Sequence, residues 1–322
     1  MIGPVGRASA RGSVFLALVV LALLAAYGVL GSELFVLNTL GTVFFYIVLA
    51  QSWNILGGYA GYLNLGLAVF LGAGVYTSAI LWHEAQLSPF LTAPLAGVAA
   101  ALAGVLIGIP TLRLRGAYFA LVTMTLGFAA QILAFDLPLT QGAMGIFLPD
   151  LALTPLGKER LFYFIFLLFA ASVTALNYLI EHSNIGWALI AIRDDEEAAE
   201  MAGVRTARVK AIANAAACFI VGVAGALHAQ RIAYVEPTAT FSFDMSLNVV
   251  LMNVMGGAGT WIGPLVGAPL VLLTGDLLRV TFTSEVNRAI FGALMIVVAL
   301  LVPGGIVGAL ARWRRAKRQP KA

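Results

Sequence analysis

The chain has 322 residues, of which 61% are hydrophobic and 11% charged, with a mean hydropathy of +0.96 and a formal net charge of +4. Soluble domains carry roughly a quarter charged residues, so this composition excludes a water-soluble globular protein. Peptide groups in lipid must be satisfied within the chain, which points to an all-α polytopic membrane protein.

A helix that crosses the hydrocarbon core needs about 20 largely apolar residues. Apolar stretches run through 14–30, 35–56, 63–82, 90–110, 117–135, 161–180, 211–230, 245–257, 264–279 and 288–310. The expectation is therefore about ten transmembrane helices, some short or broken, in one transmembrane domain spanning 1–322. The first stretch follows Arg7 and Arg11, is long for a signal-peptide core and lacks an A-x-A site, so it reads as a retained anchor.

Placing the N-terminus inside puts fourteen of the 19 Lys and Arg residues on the cytoplasmic side. Both termini are then cytoplasmic, and the largest cytoplasmic loop is 182–210. The basic tail 311–322 suits anionic membrane lipid rather than nucleic acid. Cys218 is the sole cysteine, so no intrachain disulfide forms.

Two stretches resemble one another, Asn54 with Gly57 and Gly58, and Asn253 with Gly256 and Gly257. Gly-interrupted segments at corresponding places in two halves point to a transport site, because unwound backbone offers polar groups to a solute. Packing is the competing reading, since Gly104/Gly108 and Gly263/Gly267 have small-xxx-small spacing. Gln51, Asn54, Asn64, Gln131, Asn214, Asn248 and Asn253 are neutral amides at membrane depth. They suit a path for a zwitterionic or uncharged polar solute, or else hydrogen bonds between helices. The candidate translocation residues are Gln51, Asn54, Gly57, Gly58, Asn64, Asn253, Gly256 and Gly257. Asp276 is the one carboxylate well inside an apolar stretch, three residues before Arg279.

The stretch 192–204 concentrates a third of the 15 acidic residues: Asp194, Asp195, Glu196, Glu197 and Glu200. Asp194 with Glu197 three residues on has the pattern of an N-cap and its N3 partner, and Gly203 is a helix stop. The implied helix of about two turns is too short to be stable alone in water and needs a surface to lie on. Its own membrane helices or a partner protein would supply one. On this reading Asp194 and Glu197 act through capping and docking, and Glu200 is little more than solvated charge.

The chain contains no Walker-type phosphate loop and no G-x-S-x-G elbow. His83–Glu84 is followed by Leu87 where a second zinc ligand would stand. No catalytic or metal-ligating residue is assigned, and ATP hydrolysis is not expected on this chain.

Three stretches resemble the permease subunits of ATP-driven branched-chain amino acid importers, the LivM type more than the LivH type. They are Gly61–Thr77 with Asn64, Gly66, Gly72 and Gly74; Leu112–Thr123 with Arg113, Arg115, Gly116 and Tyr118; and Ala188–Gly203. Trp187 stands where the family usually has Arg, and Gln141 where it often has Gly. The resemblance covers about residues 38 to 310 and implies a type II-like ABC importer fold in the cell inner membrane. It implies as partners a second, LivH-like permease, two cytosolic ATPases that carry ATP and Mg, and an extracytoplasmic solute-binding protein. It also implies that Arg193, Asp194, Asp195, Glu196, Glu197 and Gly203 belong to the ATPase-coupling loop. Relatives handle branched-chain amino acids but also urea and short amides. The alternative outside the family is an ion-coupled secondary transporter using Asp276.

Overall fold

The computed structural model describes residues 20–281, 292 and 304–309. The anchor's first residues, the 288–310 stretch apart from 292 and 304–309, the basic tail and the Arg279 side chain lie outside the described residues. Among the described residues the chain is a bundle of helices. In order these are α1 (Val20–Leu30), α2 (Leu34–Trp53), α3 (Leu67–Ala85), α4 (Pro89–Thr111), α5 (Ala117–Asp136), α6 (Pro155–Glu181), α7 (Asn184–Asp194), α8 (Glu196–Met201), α9 (Thr206–Ile232), α10 (Pro237–Thr240), α11 (Phe243–Gly256) and α12 (Gly263–Thr281). A two-residue antiparallel ladder, Ile146–Phe147 against Tyr234–Val235, is the only sheet among them.

Among the described residues five helices are long and apolar enough to cross a membrane: Leu34–Gly58, Phe90–Thr111, Ala117–Asp136, Pro155–Glu181 and Thr206–Ile232. Two of them extend past their apolar stretches. The helix α6 starts at Pro155, with Thr154 Oγ1 accepting from Gly157 N, and α9 takes in Arg208 and Lys210. The helix α11 has 14 residues, and at 1.5 Å per residue it falls short of the roughly 30 Å hydrocarbon core. It forms a hairpin with α12.

The principal packing pairs are α4 with α9, α2 with α6, α3 with α9 and α3 with α4. Small residues set these approaches. A Cβ on Gly74 would strike the backbone of Gly222, and a Cβ on Gly222 would strike Ala96 and Gly97. The spacing at Gly104/Gly108 serves packing too: both glycines lie against Asn214, whose Nδ2 donates to Gly104 O at 2.7 Å. At the α11–α12 hairpin, Gly256 meets Gly263 and Gly267 meets Met252. Large apolar side chains on the outer faces of α4 and α5, such as Leu102, Leu106, Leu121 and Ile132, stay exposed, as lipid-facing positions should.

Four connections gather at one end of the bundle, here the loop end: 54–66, 112–116, 182–205 and 257–262. At the opposite end Thr140 and Gly142 lie in two 3-10 turns and Gly145 follows the second, with Gln141 between them at φ 56° and its Nε2 3.1 Å from His83 Nε2. There too the buried Arg231 forms an ion pair with the partly buried Glu159 at 3.1 Å.

Candidate functional site

The acidic stretch folds as two helices instead of one. Ser183 caps α7 by accepting from Gly186 N, and α7 runs through Asp194. The cap of α8 is therefore Asp195, not Asp194: Asp195 Oδ1 accepts from Glu197 N at 2.9 Å and Ala198 N at 3.1 Å. Asp194 still has helical phase as the last residue of α7, so its backbone cannot take the extended conformation a cap needs. Asp195, at φ −160°, does. Beyond α8, Gly203 has φ 90°; its N donates to Glu200 O at 2.9 Å and Val204 N to Ala199 O at 3.0 Å, a Schellman stop.

The five acids then divide by environment. Glu196 turns inward, with its carboxylate 2.5 Å from Lys210 Nζ and 3.1 Å from Arg115 Nε, and it accepts from Tyr62 Oη at 3.0 Å. Lys210 also donates to Leu112 O and to Tyr62 Oη. Burial pushes the Glu196 carboxyl up, but the Lys210 hydrogen bond and charge, with Tyr62 and Arg115, outweigh it and hold the group below its usual range. Glu200 is more than solvated charge, since Thr206 Oγ1 donates to it at the start of α9. Asp194 and Glu197 remain exposed, with side chains 74% and 79% accessible. Met201 and Trp187 present apolar surface beside them.

A groove of about 330 Å³ is lined by Gly61, Tyr62, Arg115, Gly116 and the 192–196 segment. Each of the three stretches that carry the family resemblance contributes to it.

Just inside this groove the two Asn-x-x-Gly-Gly stretches come together. Residues Asn54–Gly58 form a π turn, in which Tyr59 N donates to Asn54 O. The other stretch ends α11, and Gly257 has φ 123°. Asn54 joins them, with Nδ2 donating to Thr260 O at 3.1 Å and Oδ1 accepting from Gly259 N at 2.8 Å. Gln51, one turn earlier on the same face, donates to Trp261 O at 2.8 Å, and Asn253 donates to Ala50 O at 3.1 Å. No room remains for a side chain at Gly58, where a Cβ would meet Asn54 and Gly259. Gly305, in the described 304–309 segment, closes on Gly257.

Seven of the eight translocation candidates thus meet in one joint. Asn64 stands apart, its Oδ1 accepting from Gly66 N ahead of α3. The amides are buried and hydrogen-bonded, although Gln51 Oε1 and Asn253 Oδ1 have no partner among the described residues.

Several contributors carried no sequence signal of their own. Asn177 on α6 donates to Gln51 O, and Glu181 accepts from Trp261 N at 2.8 Å and Tyr59 Oη at 3.3 Å. Lys210 and Tyr62 lie far from Glu196 in sequence, and only the fold pairs them.

Residues 35–299 match the family described as "Branched-chain amino acid transport system / permease component". The chain is 31% identical over 290 residues to the high-affinity branched-chain amino acid transport system permease protein LivM of Salmonella typhimurium, covering 81% of this chain and 67% of the relative. The LivM protein of Escherichia coli gives the same figures. The Escherichia coli permease protein LivH is 28% identical over 137 residues, or 42% of this chain and 44% of that one. No solved structure matches. With its bundle of apolar helices, its paired glycine turns and a match over most of its length, the chain belongs to the family of branched-chain amino acid transport permease components.

Proposed function

We propose that this chain is the membrane subunit of an ATP-driven importer that moves branched-chain or chemically related amino acids across the cell inner membrane. In this reading it pairs with a LivH-like permease, receives its solute from an extracytoplasmic binding protein, and is driven by two cytosolic ATPases that hold ATP and Mg. The reading takes a type II-like arrangement of about ten spans, with both termini and the loop end cytoplasmic; in support, five of the described helices are long and apolar enough to cross a membrane. The observation that carries the reading is the capped, exposed α8 at that end, beside Asp194, Glu197, Met201 and Trp187. It is a preformed surface of mixed charge and apolar character, suited to a soluble partner.

Translocation proceeds beside the glycine joint, where Gln51, Asn54 and Asn253 with Gly57, Gly58, Gly256 and Gly257 fix how the broken helices meet, with Asn64 standing apart ahead of α3. ATP-driven closure of the partners moves the 192–204 segment as a rigid body and switches access from one face to the other. Neutral amides and backbone dipoles suit a zwitterion, whose two charges need hydrogen bonds but no net counter-ion.

The test is uptake by the complete assembly in proteoliposomes. Leucine, isoleucine or valine should accumulate only with the binding protein outside and ATP inside. Accumulation that survives ATP removal but collapses with an uncoupler would sink the proposal. Preferential uptake of urea or a short amide would keep the mechanism and change the solute.

A further inference from the structure

The corner between α6 and α7 is tied to the glycine joint at two points. Glu181, the last residue of α6 and three residues before α7, accepts from Trp261 N at 2.8 Å, in the turn that leads into α12. Arg193, in the last turn of α7, donates from Nη1 to Gly58 O at 3.2 Å, at the carbonyl end of the α2 π turn. Each charge sits where a helix end favours it, the anion near an N-terminus and the cation at a C-terminus. The arginine stem is fitted as well as the head: a Cβ on Gly61 would come within 2.8 Å of Arg193 Cγ, and one on Gly259 within 2.8 Å of Nη1. Tyr59 Oη braces Glu181 at 3.3 Å. Asp194 contacts Arg193 only from the exposed side, at 3.8 Å.

A helix of 11 residues is a rigid rod about 16 Å long. Its start is held tightly on the end of α6, where a Cβ on Gly186 would meet Ile180 O and Ser183 Oγ donates to the same carbonyl. Tilting or sliding it therefore displaces the end of α2 through Arg193, or the entry to α12 through the corner that carries Glu181. The first point ends one copy of the Asn-x-x-Gly-Gly pattern, and the second lies in the turn that follows the other. Glu196, by contrast, ties α8 to Lys210 on α9 and holds the surface without touching the joint.

We propose that Glu181 and Arg193 are positioning residues that form a two-point linkage, transmitting movement of the α7–α8 surface to the glycine joint. The proposal rests on the reading of that surface as the ATPase contact. The linkage sets how much joint movement each ATPase closure produces, and it contributes nothing to ATPase binding.

The experiment uses the full importer in proteoliposomes, with ATPase association, ATP hydrolysis and uptake of radiolabelled leucine measured on the same samples. Arg193→Gln and Glu181→Gln are expected to retain ATPase association and basal hydrolysis while leucine taken up per ATP falls about tenfold, within the usual range of coupling between sites. Arg193→Lys, which keeps a cation able to reach the Gly58 carbonyl, should recover most of that loss. Unchanged uptake, or an equal fall in hydrolysis and uptake, would overturn the linkage. Should Arg193→Gln fail to assemble, Arg193→Lys and Glu181→Gln decide by the same ratio. The contact reading is tested separately by Met201→Glu, on the exposed face: retained ATPase association in that variant would overturn the contact.

Discussion

Glu196 shows how much one carboxylate can differ from its neighbours in sequence. Its partner Lys210 and the Glu196 side chain are 6% and 9% accessible, and removing one member of a buried pair typically costs about 3–5 kcal/mol because the other charge is stranded. Glu196→Gln should therefore lower the thermal midpoint of the purified protein, and adding Lys210→Met should restore part of the loss. The pH dependence follows from the direction of the shift. The folded carboxyl titrates below its ordinary value of 4.5, so its contribution is complete above that value and is lost as pH falls through the lower, folded value. Hydrogen exchange of the α8 amides should be steady at neutral pH and accelerate, relative to the intrinsic rate, only in that acidic range. Acceleration between pH 6 and 8 would count against this role. A string of five acids gives no hint that one is internal, because the answer lies in Tyr62 and Arg115, brought in by two other connections, and in Lys210 on α9.

At the scale of elements, the chain's own wording explains a one-residue displacement. Asp194 has Glu197 three positions on and so fits the capping-box pattern, while Asp195 is followed at that spacing by Ala198. What decides between them is α7, which carries helical backbone through Asp194. Asp195→Ala should cost α8 about 1 kcal/mol and speed exchange at the Glu197 and Ala198 amides, whereas Asp194→Ala should leave both unchanged. Gly203→Ala should loosen the same helix from its other end, since φ of 90° strains any residue with a Cβ. The helix, its stop and its need for a surface were legible in the sequence. The division into α7 and α8 was not, because Ser183 as a cap and the partly apolar turn after it look like the tail of the preceding span.

For the molecule as a whole, composition was sufficient to establish a polytopic membrane protein, and the apolar stretches located α2, α4 and α5 to within a few residues. Lengths were less legible, because α6 and α9 continue past their apolar runs with charged residues that leave the lipid-facing surface: Glu159 pairs with Arg231, and Lys210 with Glu196. Spacing foretold the packing glycines along one helix, but not that Gly74 meets Gly222 from a distant one. Gly222→Leu should accordingly separate α3, α4 and α9 and destabilise the folded chain by about 1–3 kcal/mol or more. Gly127→Ala, where a Cβ has nothing within 4 Å, should be close to neutral. Thermal unfolding in one detergent, compared across the two variants, checks both. The two Asn-x-x-Gly-Gly stretches were legible as a repeat, and the structure adds that they touch through Asn54. Asn177 and Glu181 on α6, which no repeat contains, add hydrogen bonds beside that contact.

The π turn at Asn54–Gly58 gives this architecture a place where it can change length. A turn closed from Tyr59 N to Asn54 O holds one residue more than an α turn does. Passing from five-residue to four-residue closure would rotate everything beyond it by about 100° without leaving the helix unbonded. Gly58 O, gripped by Arg193, would swing out of reach in that rotation. The π turn thus holds a single residue of register at the point where the two Asn-x-x-Gly-Gly stretches meet.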